Sequence, residues 1–207
     1  MSTILFVKAN DRPAEMAVSV KMYDAFLNAY KEAHPQDTVI ELDLYAENLP
    51  RFGNVTMTGN FKRSQGLLLS VEEQNAADTA NGYLDQFLAA DKVVLAFPLW
   101  NYMTPSPVVD YVSFLAQAGK TFKYTENGPV GLAGGKKVAL LSARGGIYSV
   151  EPMASMESAI RPIKGVFSMF GIQAEEVIIE GHNQFKDRSA DIITEGLQNV
   201  AKVAANF

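Results

Sequence analysis

The chain has 207 residues, a formal net charge of −5 and 48% hydrophobic residues, enough for one substantial core. It has no cysteine and two histidines, which excludes disulfides, thiolate nucleophiles and iron–sulfur centres, and we expect no metal site. No linker divides the chain, so we expect one domain over residues 1–207. Its basic residues form no stripe, so we expect that it does not bind nucleic acid. No apolar stretch approaches the roughly 20 residues of a membrane span and no signal peptide is evident, which predicts a cytoplasmic protein away from the membrane.

Short apolar segments alternate with amphipathic ones along the whole chain. Strands are predicted at residues 3–9, 38–44, 92–97, 137–142 and 174–180. Helices are predicted from about 15 to 33, from a capping box at Ser70 and Glu73 to about 90, after Pro105, from about 152 to 170, and over the last 20 residues. The irregular stretch 47–66 is longer than an ordinary connection, which predicts a functional loop or mobile flap.

This alternation predicts an α/β fold in which a parallel five-stranded sheet is covered by helices on both faces, because parallel neighbours need crossover connections. In such sheets ligands bind at the carboxyl ends of the strands, beside the point where the strand order reverses. Three loops are therefore the candidates for a binding site: residues 9–19, 98–105 and 142–149.

The first loop carries neither G-x-G-x-x-G nor a P-loop lysine, so a dinucleotide or P-loop start is not supported. A helix beginning near Glu15 would still point its first N–H groups toward the loop, with the Asn10 amide and Ser19 hydroxyl as further donors to one phosphate. These N–H groups are those of Met16, Ala17, Val18 and Ser19. The alternative is that Ser19 is an ordinary polar residue on an amphipathic helix.

The second loop places two aromatic residues around an amide, directly after a buried strand. A planar tricyclic ring needs apolar faces and a few fixed hydrogen bonds, and Leu99, Trp100 and Asn101 offer both. The alternative is that Trp100 and Tyr102 only close the end of the sheet.

The third loop contains Gly145 and Gly146, which allow a ligand to approach the backbone closely. Its N–H groups could stabilise negative charge on a pyrimidine-like ring edge, as an oxyanion hole does. A plain glycine turn is the alternative.

Taken together, these loops make the chain resemble the FMN-dependent NADH azoreductases of the flavodoxin-like quinone reductase superfamily. The resemblance covers essentially the whole chain, including residues 118–132, which are similar to the family's G-x-T-F-x-Y-S/T-x-x-G-P-x-G-L segment, and Glu180 to Asn183. One departure is that Ala9, followed by Asn10, stands where many members have a phosphate-contacting serine. The cofactor positions that the resemblance implies are Asn10, Ala17, Val18, Ser19, Leu99, Trp100, Asn101, Tyr102, Ala143, Arg144, Gly145 and Gly146.

The resemblance also implies a flavodoxin-like sheet order of 2-1-3-4-5, tightly bound FMN, and a homodimer with the active site at the subunit interface. The implied reaction is ping-pong: NADH or NADPH reduces the flavin, and a quinone or azo compound then takes two electrons. No side chain is then a nucleophile. Phe122 and Tyr124 fall in the segment that overhangs the flavin and are expected to stack on substrate, although Phe122 is equally compatible with a hairpin core. His182 is expected to be a structural or rim residue; the alternative is a proton donor, for which its place at a strand end would be useful.

Two other functions use a similar fold. A non-enzymatic electron-transfer flavodoxin would lack a pocket over the ring, and both the chain length and the segment 118–132 count against it. A receiver-like phosphoryl switch needs aspartates at the ends of the first and third strands, where this sequence has Ala9-Asn10 and Phe97-Pro98.

Overall fold

A computed structural model describes residues 1–47 and 49–207. Its centre is a parallel sheet of five strands: β1 (Thr3–Lys8), β2 (Thr38–Asp43), β3 (Lys92–Pro98), β6 (Lys137–Arg144) and β7 (Glu175–Glu180). An antiparallel hairpin of β4 (Phe122–Thr125) and β5 (Gly128–Gly131) lies outside this sheet, within residues 118–132. The sheet order is β2-β1-β3-β6-β7. Numbered within the sheet this is the expected order 2-1-3-4-5, so the prediction of a flavodoxin-like sheet is confirmed.

The helices cover both faces of the sheet. They are α1 (Val18–Ala33), α2 (Asn54–Ser64), α3 (Val71–Ala89), α4 (Ser106–Leu115), α5 (Ile160–Met169) and α6 (Ser189–Ala205). Side chains alternate along β1: Ile4 and Phe6 pack in a core with α1 and α6, whereas Leu5 and Val7 pack in a core with α3, α4 and α5. Strand β1 lies between β2 on one side and β3 on the other, so the strand order reverses here. This reversal opens a crevice at the carboxyl ends of β1 and β3.

The capping box predicted at α3 is present. The Glu73 N–H donates to Ser70 Oγ at 3.2 Å, and the Ser70 N–H donates to Glu73 Oε2 at 2.7 Å. Two donors that the helix leaves unpaired are thereby satisfied.

The prediction that 47–66 is irregular is wrong over most of its length, because Asn54–Ser64 forms α2; Asn48 lies outside the described residues. Its glycine and threonines weaken the local helix signal, but packing on α3 compensates. A Cβ on Gly59 would lie 2.5 Å from the Glu73 carbonyl oxygen, so glycine lets the two helices approach closely. Lys62 also pairs with the Glu73 carboxylate at 2.6 Å.

Two helix boundaries also differ from the prediction. The first helix starts at Val18, after a 3-10 turn at Ala14–Met16, and the helix predicted over 152–170 consists of a 3-10 turn at Met153–Met156 followed by α5. Proline at positions 13 and 152 favours such a tight turn, because its φ is fixed and it has no N–H to donate. Among the described residues, no helix is both long and apolar enough to cross a bilayer.

Candidate functional site

The first loop is braced by a buried pair of polar side chains. Asn10 Nδ2 donates to Ser19 Oγ at 2.9 Å, and Asn10 Oδ1 accepts from the Arg12 N–H at 2.9 Å. Asn10 and Ser19 are both almost fully buried. Because the Ser19 oxygen accepts from Asn10, its O–H is left to donate elsewhere.

The start of α1 offers unpaired backbone donors. The N–H groups of Val20 and Lys21 both donate to the Ala17 carbonyl at 3.1 Å, while those of Val18 and Ser19 find no acceptor among the described residues. The expectation that Met16 and Ala17 also offer free N–H groups is wrong, because both donate within the 3-10 turn, at 3.0 and 3.4 Å. Two N–H groups and one hydroxyl therefore meet at a helix N-terminus, an arrangement suited to an anion.

The second loop is a tight turn with strained backbone. Trp100 and Met103 exchange two backbone hydrogen bonds, at 3.1 and 2.9 Å. Between them Asn101 (φ 51°) and Tyr102 (φ 67°) both have left-handed conformations. Asparagine tolerates this conformation, whereas for tyrosine it costs about 1–2 kcal/mol. Such strain is concentrated at ligand sites, and here it presents Leu99 and Trp100 to the crevice.

The third loop has its carbonyls satisfied and its N–H groups free. The carbonyls of residues 144–146 accept four hydrogen bonds, at 2.9–3.2 Å, from three backbone N–H groups within residues 181–184. The N–H groups of Gly145 and Gly146 find no acceptor in the described part of the chain. A Cβ on Gly145 would lie 2.7 Å from Asn183 Nδ2, so a larger residue here would have to displace the Asn183 side chain. The loop is thus fixed from behind, with two donors unpaired.

Arg144 contributes its backbone to this loop but not its side chain to the crevice. Its guanidinium is 4% exposed and lies 3.6 Å from Glu157 Oε1 and 3.6 Å from Glu180 Oε2. Glu157 also accepts the N–H groups of Ala159 and Ile160 at 2.8 and 2.7 Å, and Glu180 accepts that of Tyr148 at 2.9 Å. Arg144 therefore ties the glycine loop to the chain on either side of it.

One cavity of about 420 Å³ lies at the carboxyl ends of β1, β3 and β6, within the usual size range of ligand sites. It brings together eight of the predicted cofactor residues: Asn10, Ala17, Val18, Ser19, Leu99, Trp100, Ala143 and Gly145. The cavity is not lined by the other four predicted cofactor residues: Asn101, Tyr102, Arg144 and Gly146. Nine lining residues were not predicted to bind the cofactor: Arg12, Glu15, Met16, Lys21, Pro98, His182, Asn183, Ser189 and Ile193. Two of these, His182 and Asn183, come from a fourth loop, after β7, whose position follows from the sheet order.

The predicted substrate residues lie elsewhere. Phe122 is buried in the hairpin and Tyr124 is 76% exposed, and their rings meet edge to face at 5.2 Å. Both line a second cavity of about 620 Å³ together with Met57 and Phe61 of α2. This second cavity shares no lining residue with the first.

Known proteins resemble this chain over its whole length. Residues 2–204 match the family described as having a flavodoxin-like fold. An FMN-dependent NADH:quinone oxidoreductase 2 of Bacillus cereus is 60% identical over 208 residues, covering all of both chains. An azoreductase structure from Bacillus anthracis str. Sterne has a TM-score of 0.98 at 56% identity, with both chains fully covered. An FMN-dependent NADH-azoreductase from Bacillus anthracis str. Ames Ancestor, in complex with FMN, has a TM-score of 0.90 at 28% identity and covers 100% of this chain and 99% of that one. The chain belongs to the flavodoxin-like family that contains these quinone oxidoreductases and azoreductases.

Proposed function

We propose that this protein is an FMN-dependent NADH:quinone oxidoreductase that also reduces aromatic azo compounds. The main supporting observation is a cavity at which unpaired N–H groups flank the half-buried indole of Trp100, in a chain 60% identical to a relative named for the quinone activity. The fully matching azoreductase fold supports the second activity.

The residues at the cavity fit FMN from one end to the other. The free N–H groups of Val18 and Ser19 suit its phosphate, and Leu99 and Trp100 offer apolar surface to its ring. The free N–H groups of the glycine loop suit the pyrimidine edge. The cavity extends across the carboxyl ends of three neighbouring strands, so one elongated ligand could make all of these contacts.

When bound, FMN supplies the chemistry of accepting a hydride from NADH and passing two electrons to a quinone or azo bond. The protein's part is binding and electrostatics. The N–H group of Gly145, which lines the cavity, would stabilise negative charge at the ring edge, and the Gly146 N–H would add to this effect from outside the lining. The backbone bonds from residues 181–184 hold both groups rigid beforehand. The side chains of Leu99 and Trp100 would exclude water from one side of the ring.

The FMN site is tested by the chain's one tryptophan. Titrating FMN into flavin-free protein should quench Trp100 fluorescence, and Trp100→Ala should weaken FMN binding at least tenfold by calorimetry. Phe207→Ala is the matched control. This aromatic residue packs on Phe26 and on Lys137 at the start of β6, at the end of the strands opposite the cavity, and its loss should leave FMN affinity unchanged. Unchanged FMN affinity in Trp100→Ala would show that the ring site is misplaced.

The activity is tested by rapid mixing. NADH should bleach the bound flavin, and a quinone or methyl red should restore its colour under anaerobic conditions. Flavin that neither NADH nor NADPH reduces would favour an electron-transfer flavodoxin. Comparing both nicotinamides in this assay also decides which donor is preferred.

We further propose a homodimer in which each subunit completes the other's pocket. An apolar patch at α2, formed by Met57, Phe61, Leu67 and Leu68, is exposed on the chain, with Leu68 94% exposed. Contiguous apolar surface of this kind is typical of protein interfaces. Tyr124 lines a cavity together with Met57 and Phe61, so a second copy docked on this patch would lie beside Tyr124. In this proposal Tyr124 completes the pocket of that second copy.

The mass in solution tests the dimer. Light scattering should give twice the chain mass of 22.6 kDa, and the double variant Phe61→Asp, Leu68→Asp should fall to one chain mass. Val150→Asp, at an exposed apolar residue outside the patch, should stay dimeric. A wild-type protein of one chain mass at micromolar concentration would refute the proposal.

We also propose a cytoplasmic location. Its support is the NADH in the names of the relatives, because NADH is regenerated inside the cell, together with the lack of cysteines for stabilising disulfides. Fractionation of cells, with immunodetection of the protein in the cytosol, periplasm and membrane, tests it.

A further inference from the structure

His182 follows β7 and lines the cavity beside α1 and α6, yet none of the three candidate loops contains it. The residue is 9% exposed, and its Nδ1 is buried without a hydrogen-bond partner among residues 1–47 and 49–207. Its Nε2 forms no hydrogen bond within the described residues and is not fully buried. It is therefore the ring nitrogen that is open to the cavity. A nearly buried imidazole without protein partners is costly unless a ligand supplies one.

The charges around His182 favour an anion. Lys21 lines the same cavity and forms no ion pair within the described part of the chain. The 3-10 turn and the residues before it contribute Arg12 and Glu15, whose charges oppose each other, and α6 contributes only the uncharged Ser189 and Ile193. The charge excess at this side of the cavity is therefore positive.

The same surroundings favour the neutral form of the imidazole over the imidazolium when no anion is bound. Burial, and then the charge of Lys21, hold the pKa of His182 below its ordinary value. A phosphate dianion beside the ring would reverse this effect, because it favours the imidazolium form.

We propose that His182 and Lys21 complete the phosphate end of the site, with His182 Nε2 and Lys21 Nζ binding the same phosphate monoester as the free N–H groups of Val18 and Ser19. The proposal rests on the proposed function for the identity of that ligand, FMN. Its consequence is selectivity for FMN over riboflavin, which has the same ring but no phosphate. A proton is taken up on binding, so FMN affinity increases as the pH falls from 8 to 6.5, by at most tenfold per pH unit.

Binding measurements separate the phosphate end from the ring. Calorimetry with FMN and riboflavin, from pH 6.5 to 8, would compare the wild type with His182→Gln, His182→Leu and Lys21→Met. His182→Leu and Lys21→Met should each weaken FMN binding about tenfold, the scale of one charge-assisted hydrogen bond, and leave riboflavin binding unchanged. His182→Gln should retain a donor but lose the pH dependence. His34→Gln is the matched control, because the only other histidine follows α1 at the opposite end of that helix, and it should change neither affinity.

NMR gives an independent measure, because the His34→Gln variant identifies the His182 resonances. FMN, and inorganic phosphate at millimolar concentration, should raise the pKa of His182. In flavin-free Lys21→Met the pKa of His182 should also rise, because the charge that lowers it is gone.

The possible outcomes distinguish this inference from the proposed function. Protein that binds neither flavin would refute the proposed function. Protein that binds both flavins, with the FMN preference and its pH dependence intact in His182→Leu, would overturn the role of His182 alone. Loss of FMN and riboflavin affinity together in that variant would also overturn it, because the defect would then lie in the fold and not at the phosphate.

Discussion

The buried cluster of Arg144 with two carboxylates predicts a large difference between two superficially similar substitutions. Arg144→Met removes a cation that is 4% exposed and leaves Glu157 and Glu180, whose side chains are 7% and 16% exposed, without their counter-charge. Removing one partner of a buried pair costs about 3–5 kcal/mol, and the 3.6 Å separations place the expected loss near the lower end, about 3 kcal/mol. Lys164→Met removes a cation from the exposed pair with Glu176, which is worth at most about 1 kcal/mol.

Urea unfolding of the flavin-free protein at pH 7 would measure both losses, with the slope checked for two-state behaviour. Because Arg144 ties the glycine loop in place, Arg144→Met should also weaken riboflavin binding, which depends on the ring site. Lys164→Met should not. Equal destabilisation by the two substitutions, or a loss below about 1 kcal/mol for Arg144→Met, would refute the view that the cluster supports the loop.

Three further predictions concern packing and pH. Gly59→Ala should destabilise the protein by about 1–3 kcal/mol in urea unfolding, because its Cβ would overlap backbone, whereas Gly82→Ala, with open space around it, should stabilise it by up to about 1 kcal/mol. Gly145→Ala should lower FMN affinity and Gly135→Ala, which meets no neighbour, should not. The pKa of His182 is lower in the folded state, so the unfolded state binds the proton more readily. The unfolding free energy of flavin-free protein should therefore fall as the pH drops below about 6.5, and His182→Gln should reduce that fall.

The sheet could be predicted from the sequence because its strands are short apolar runs and its crossovers are amphipathic. Their order places three loops at one crevice, so the general location of a site also follows. Segment α2 could not be predicted in this way, because its stability comes from packing on α3 through Gly59 and from the pair between Lys62 and Glu73. Both are contacts between segments and leave no periodic pattern within one.

The side chains at the site were harder to predict than its location. Arg144 stands in the predicted cofactor loop, yet its guanidinium faces Glu157 and Glu180, which lie 13 and 36 positions away in sequence. His182 contributes to the cavity only because β7 ends beside β6, and a single histidine after a strand carries no signal of its own. In both cases the role depends on partners distant in sequence.

Asn10 shows how the family departure at Ala9 is accommodated. From sequence, the Asn10 amide is expected to be a further phosphate donor, and in the structure one of its two N–H groups donates to Ser19 Oγ while its Oδ1 accepts from the Arg12 N–H. Its amide therefore supports the site indirectly: it occupies a lone pair of the Ser19 oxygen and so leaves the hydroxyl proton to donate beside the free N–H groups of α1. Asn10 thus orients the Ser19 hydroxyl and keeps a second amide N–H at the cavity that both residues line.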